Sequence, residues 1–287
     1  MKRFTTFFVC SVCFLSQGWA QDTDYSFKEN YDASLPFQLA VSSFDGNIDL
    51  IAAEGNKIEV LYIVKRNKTT LKVSREELEK DFILEVTPTG NSLKISIRNK
   101  HDFSSSHFMN RTYVNFKITV PKETSCNLHT SDGNVYVKGT RGSVDIKTSD
   151  GNIELDDVTG NVESSTSDGN IKLSQLNGNI SVSTSDGDIS FRNVSGSFKG
   201  VTSDGNIRGN LTELRKEFTA KTGDGNIDVT VPDHLGLDLN IKGESLKVPL
   251  TNFTGRSDEN SIQGKINGGG MAVTLTTSDG HIKLSYL

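Results

Sequence analysis

The sequence predicts an all-β protein, a parallel β-solenoid whose 18-residue coils are each made of two nine-residue halves. Three observations predict it. The phrase TSDGNI stands at 148–153, 166–171 and 202–207, with near copies beginning at Thr130, Thr184, Thr222 and Thr277. The aspartates Asp132, Asp150, Asp168, Asp186 and Asp204 are evenly spaced, two halves apart at every step. Glycine steps by nine without a miss from Gly133 to Gly205, and two residues after each glycine sits an apolar one, from Val135 and Val144 to Phe198 and Ile207.

Apolar residues two apart put one face of a strand on a core. A glycine before each strand suits a turn that needs the left-handed region. Copies in register must then stack coil on coil, with like residues about 4.8 Å apart. The second apolar position of the half-repeat lapses at Ser164, Gly200 and Gly209. Within the repeats helices are excluded, because no window there carries i, i+3, i+4 spacing and glycine at every ninth residue would break them.

Along the chain, residues 1–20 read as a secretory signal. Lys2 and Arg3 precede an apolar run from Phe7 to Leu15, and Gly18-Trp19-Ala20 supplies small residues at a cleavage site. Residues 21–33 read as a short linker, and 34–287 as one solenoid domain. Its first section, 34–120, carries a worn copy of the phrase at Phe44–Leu50 and several alternating strands. SREELEKDF adds one short helix, with Ser74 and Glu77 as a capping box. Residues 121–230 hold the regular repeats. They slip where NLTELRKEFTAK, at 210–221, carries two extra residues. In the last section, 231–287, TGRSDENS at 254–261 reads as a mobile loop. The step of 55 from Asp224 to Asp279 reads as nearly three further coils.

The phrase itself reads as a turn. Its Asp would accept hydrogen bonds from backbone N–H groups just ahead. Stacked Asn134, Asn152, Asn170 and Asn206 would bond along the rod, and the threonines would form a similar ladder. A column of aspartates also raises a second reading, a calcium-binding edge like that of β-rolls. Those rolls use GGxGxDxUx. This chain lacks the double glycine, and positions 141, 159, 177 and 195 hold Arg, Thr, Asn and Ser.

Little else points to chemistry. Losing Lys2 and Arg3 would take the formal charge from −5 to −7, which argues against a nucleic-acid partner. Removal of the signal leaves one cysteine, Cys126, read as a small core residue. His101 and His107 bracket HDFSSSH, at a spacing that matches no standard metal site. His129, His234 and His281 are scattered. The sequence holds no GxSxG turn, phosphate loop or CxxC. Asp156-Asp157 and Glu76-Glu77 are adjacent pairs and would point apart. The strand faces carry no aromatic platform for a polysaccharide. The reading therefore assigns no catalytic, cofactor-binding or metal-ligating residue.

The recurrent TSDGNI, the opening VPKETSCNLHTSDGNV and the ending GGGMAVTLTTSDGHIKL resemble a bacterial family of unknown function labelled candidate adhesins, whose members carry repeats of the type t-x-x-G-[DN]-[IV]. The resemblance spans roughly 34–287. It implies an extracytoplasmic β-solenoid without known catalytic residues. Asp188 and His281 depart from it, standing where this chain's phrase has Asn. The expected function is an exported, non-enzymatic adhesion, binding or scaffold module of the bacterial cell envelope, in the periplasm, on the outer surface or secreted. Its partner would be a cell-surface or envelope protein or glycan, with self-association through the solenoid ends as a further expectation. The alternatives are the calcium-binding roll and, third, a polysaccharide-active enzyme.

Overall fold

The computed structural model describes residues 24–100 and 112–287. The signal-like segment at 1–20 and the pair His101 and His107 lie outside the described residues. The chain opens with strands β1 (Phe27–Asp32), β2 (Phe37–Ser42), β3 (Ile48–Ala53), β4 (Lys57–Arg66) and β5 (Thr69–Thr70), then helix α1 (Arg75–Asp81). Strands β6 (Phe82–Pro88), β7 (Ser92–Asn99), β8 (Thr112–Pro121) and β9 (Thr124–His129) follow. The regular stretch holds β10 (Val135–Lys138), β11 (Val144–Lys147), β12 (Ile153–Asp156), β13 (Val162–Ser165), β14 (Ile171–Ser174) and β15 (Asn177–Ser183). Two long strands turn the corner without a break, β16 (Ile189–Val201) and β17 (Ile207–Lys221). The last part holds β18 (Ile227–Val231), β19 (Leu237–Lys242), β20 (Ser245–Lys247), β21 (Phe253–Ser257), β22 (Ser261–Ile266), β23 (Met271–Thr276) and β24 (His281–Tyr286).

These strands form a large, mostly parallel, solenoid-like sheet in two columns. In the first column Val135, Ile153, Ile171, Ile189 and Ile207 are successive parallel partners, each standing at the same position of the next copy. In the second, Cys126, Val144, Val162, Ile180 and Phe198 are related in the same way. All ten side chains are buried, as alternation along each strand requires. Burial of aliphatic and aromatic residues at roughly 1.5–3 kcal/mol each is the main source of cohesion.

The lapses in the apolar pattern have separate causes. A Cβ on Gly200 would lie 2.8 Å from the ring of Phe198, and one on Gly209 would lie 2.1 Å from the carbonyl oxygen of Phe191 and 2.6 Å from its ring. Phe191, Phe198 and Phe218 cluster with centroids 4.3–6.0 Å apart and take up that space. Ser164 has no such compensation. Its hydroxyl is buried without a partner, in register between Ile146 and Val182. Ser164→Val is therefore expected to stabilise the protein by about 1–2 kcal/mol, read as a higher urea midpoint at unchanged m. A lower midpoint would mean that the hydroxyl is bonded.

The two extra residues at 210–221 act as the spacing suggests. The step lengthens to 20 at Ile207↔Ile227 and at Phe198↔Phe218, with register shifts between β16 and β17.

The step from Asp224 to Asp279 differs from the expectation of three coils. Ile227 pairs directly with Ile282, and Phe218 with Val273, so the stretch of 55 residues advances the stack by one layer at that point. The chain first builds β19 and β20 further out, then returns through β23 and β24, which slot in between. The returning link crosses beneath the start of β19, where a Cβ on Gly236 would lie 2.2 Å from the carbonyl oxygen of Gly269. The stretch 254–261 is likewise not a loop. It contains most of β21, an antiparallel partner of β22. Its polar composition reflects an outermost strand, exposed everywhere except at Phe253.

The N-terminal end mirrors this. Strands β2 and β3 lie between β7 and β8 outside and β9 and β10 inside. The stretch read as a linker, 21–33, contains β1, paired antiparallel with β4. Glu29 fastens it. Its Oε2 accepts hydrogen bonds from the hydroxyls of Tyr31 (2.6 Å) and Tyr62 (2.8 Å), and its Oε1 accepts one from Arg75 Nη1 (2.7 Å). Burial, then the bond to Glu29, holds both phenols well above their usual range. Helix α1 begins with the expected capping box of Ser74 and Glu77.

Candidate functional site

The recurrent corner is the obvious place to look for chemistry, and its residues are occupied with structure. Thr166 shows the pattern. Its Oγ1 lies 2.9 Å from Ser149 O and 3.0 Å from Gly151 O, as donor, and accepts from the N–H of Gly169 at 3.3 Å. Thr148, Thr184, Thr202 and Thr222 make the same set one layer apart. The threonine hydroxyl thus closes the turn in the role expected of the aspartate.

The phrase's glycines are needed for a different reason than a left-handed turn. A Cβ on Gly151 would lie 1.8 Å from the carbonyl oxygen of Gly133, and one on Gly169 would lie 1.9 Å from that of Gly151. Within the regular repeats positive φ belongs to the opposite corner, at Gly160 (142°), Gly178 (153°) and Gly196 (125°), whereas in the worn copy of the phrase Gly46 itself has it (116°).

The asparagine ladder forms as expected. The N–H of Asn152 donates to Asn134 Oδ1 (2.8 Å) and that of Asn170 to Asn152 Oδ1 (2.9 Å). Asp188 fits without a break, accepting from the N–H of Asn206 at 2.7 Å. The ladder runs on to Asn115 and Asn47 at one end and to Asn226 and the N–H of His281 at the other.

The aspartates of the phrase are exposed along the same edge. Their backbones are aligned, since the N–H of Asp168 donates to Ser149 O and that of Asp186 to Ser167 O. Among the described residues no three of His, Cys, Asp and Glu are grouped to hold a metal ion. The edge is built from hydrogen bonds that need no cation. Adding calcium or a chelator is therefore expected to leave the Tm unchanged, whereas a rise in Tm with calcium would make the column a metal edge.

Elsewhere several charged groups are paired across layers. Glu154 meets Lys172 at 2.7 Å, and Asp156 meets Lys138 at 2.8 Å. At the opposite corner Arg215 reaches Asn177, Ser195 and Glu213, and with Ser195 it holds the Glu213 carboxyl down to about 2. Cys126 is buried in the core, and burial pushes its thiol up to about 12, away from nucleophilic use. His129, His234 and His281 lie far apart in the chain. His234 meets its neighbour Asp233 at 2.8 Å.

Concave surface gathers at the C-terminal end. Depressions of about 580 and 380 Å³ lie there, and Glu244 and Asp279 line both. A third, of about 440 Å³, lies between β20 and the β21–β22 hairpin. The strands in LGLDLNIKG and MAVTLTTSDGHIKL are legible in the sequence and form β19, β23 and β24, but the concave surface is not. The polar 254–261 gave no sign of a hairpin, and the insertion of β23 and β24 has no local signature.

No curated protein matches the chain. Among solved structures it is similar to a candidate cell adhesion protein from Clostridium sporogenes ATCC 15579, at 14% identity over 91% of this chain and 99% of that one, with a TM-score of 0.25. It is also similar to a candidate adhesin from Bacteroides fragilis NCTC 9343, at 14% identity over 91% and 96%, with a TM-score of 0.46. A candidate adhesin from Parabacteroides distasonis ATCC 8503 gives 14%, 90%, 96% and 0.43. The Toastrack DUF4097 family matches over residues 37–285, so the chain belongs to that family.

Proposed function

We propose that this is an exported, non-enzymatic β-solenoid that serves as an adhesion, binding or scaffold module of the bacterial cell envelope. One observation carries the reading. Thr, Gly and Asn of the recurrent corner are committed to bonds or close contacts between layers, and the recurrent Asp stays exposed on the edge. A repeat whose polar atoms are used to join layers is a scaffold, and its outward faces and ends remain for partners. Export rests on the basic start, apolar run and small-residue site of residues 1–20.

The partner class is an envelope protein or glycan. A pull-down from bacterial envelope extract with residues 21–287 tests this, and it should retain a defined protein or glycan fraction above a bead control. Retention of nothing, or turnover of an envelope polysaccharide, would contradict it.

A further inference from the structure

We propose that the groove at the C-terminal end docks an extended, basic segment of a partner protein, which adds as a further strand on the free edge of β20. The inference rests on the binding-module reading above and names its site and partner chemistry.

The two columns end at different heights. In the second, β19 is followed outward by β22 and then β21. In the first, β20 shares a layer with β19 and among the described residues pairs only with β24, through Ser245↔His281, Leu246↔Ile282 and Lys247↔Lys283. The first column is thus two strands shorter, and the groove of about 440 Å³ occupies that step. Its floor is apolar, with half-buried Leu246, Val248 and Leu250 and buried Ile262. Its rim carries three exposed carboxylates, Glu244, Asp258 and Glu259, and among the described residues no basic one lines it. Lys247 faces the neighbouring depression instead.

An unpaired edge offers backbone donors and acceptors to an incoming strand. An apolar floor selects alternate apolar side chains, and an acidic rim selects basic ones between them. The other end is finished differently. There β1 and β6 close the columns antiparallel, and Lys28–Glu59 and Lys57–Asp32 ion pairs flank β1.

The test uses residues 21–287 and three labelled peptides read by fluorescence anisotropy: alternating lysine–valine, glutamate–valine and lysine–serine. The lysine–valine peptide should bind about tenfold or more tightly than either other peptide. Combining Glu244→Lys, Asp258→Lys and Glu259→Lys should weaken it about tenfold. The same charge change at Asp150, Asp168 and Asp186 should leave it within about twofold, which separates the groove from general attraction to an acidic protein. Amide exchange at residues 245–247 should slow when peptide binds.

Equal weakening by both triple variants, equal binding of the three peptides or unchanged exchange at 245–247 would overturn the proposal. So would concentration-dependent dimers that the peptide does not disperse, because the edge would then belong to a second copy. If the groove variant still retains the wild-type envelope fraction, the groove fails and the binding-module reading stands. If the peptide binds as expected but no envelope fraction is retained, the groove stands and the envelope reading fails.

Discussion

Gly169→Ala is expected to lower stability by about 3 kcal/mol or more. The added methyl would lie 1.9 Å from the carbonyl oxygen of Gly151 and 2.5 Å from its carbon. Both atoms are backbone, so no rotamer change relieves the contact. Movement of the strand would also disturb Gly187, whose Cβ position lies 2.0 Å from Gly169 O. Gly90→Ala is the control, since its Cβ would meet only Ser34 Oγ at 3.9 Å, and it should stay within about 0.5 kcal/mol. Urea unfolding compares them. Equal, small effects would mean that the layers are not stacked as closely as described.

Thr166→Val should cost about 2 kcal/mol, because it removes a buried hydroxyl that serves two carbonyls and one N–H while keeping the shape of the side chain. Asp168→Asn, two residues away, should have the opposite sign. Neighbouring aspartates one layer apart repel by about 1 kcal/mol in water, and salt screens that repulsion. The gain should therefore be below about 1 kcal/mol and shrink as salt is added. If Asp168→Asn proves the more damaging change, the turn depends on the carboxylate and the role given to threonine is wrong.

Much of this fold is legible in the sequence because each layer repeats the same local problem. The partners of Ile153 and Val162 follow from counting, since a parallel neighbour in register must be the same position of the next copy. The asparagine ladder follows from the same count, as does the short helix from Ser74 and Glu77. Two features were hidden for physical reasons. The crossing of 267–270 under Gly236 is a contact between segments with no shared pattern, so spacing alone makes the stretch from Asp224 to Asp279 look like three coils. Strand β21 is an outermost strand, and TGRSDENS has the composition that water favours on an exposed edge. Asp-Gly is a common turn signal, so the sequence alone points to the aspartate for the threonine's part. The stacking that places Thr166 Oγ1 on the carbonyls of the layer below is visible only in three dimensions. The groove was illegible because it arises from the unequal ends of two columns.

The central claim is that like positions of successive copies lie one above the other, at about 4.8 Å, along the recurrent corner. That separation falls within the Cα range of a disulfide, while positions half a coil apart lie on opposite corners. Cysteine pairs at 150 and 168, and at 150 and 159, should therefore behave differently under mild oxidation, with buried Cys126 taking no part. The measurement is the fraction cross-linked within one chain, read by mass spectrometry. The account predicts near-complete cross-linking for Asp150→Cys with Asp168→Cys and none for Asp150→Cys with Thr159→Cys. Cross-linking in the second pair, or its absence in the first, would contradict it.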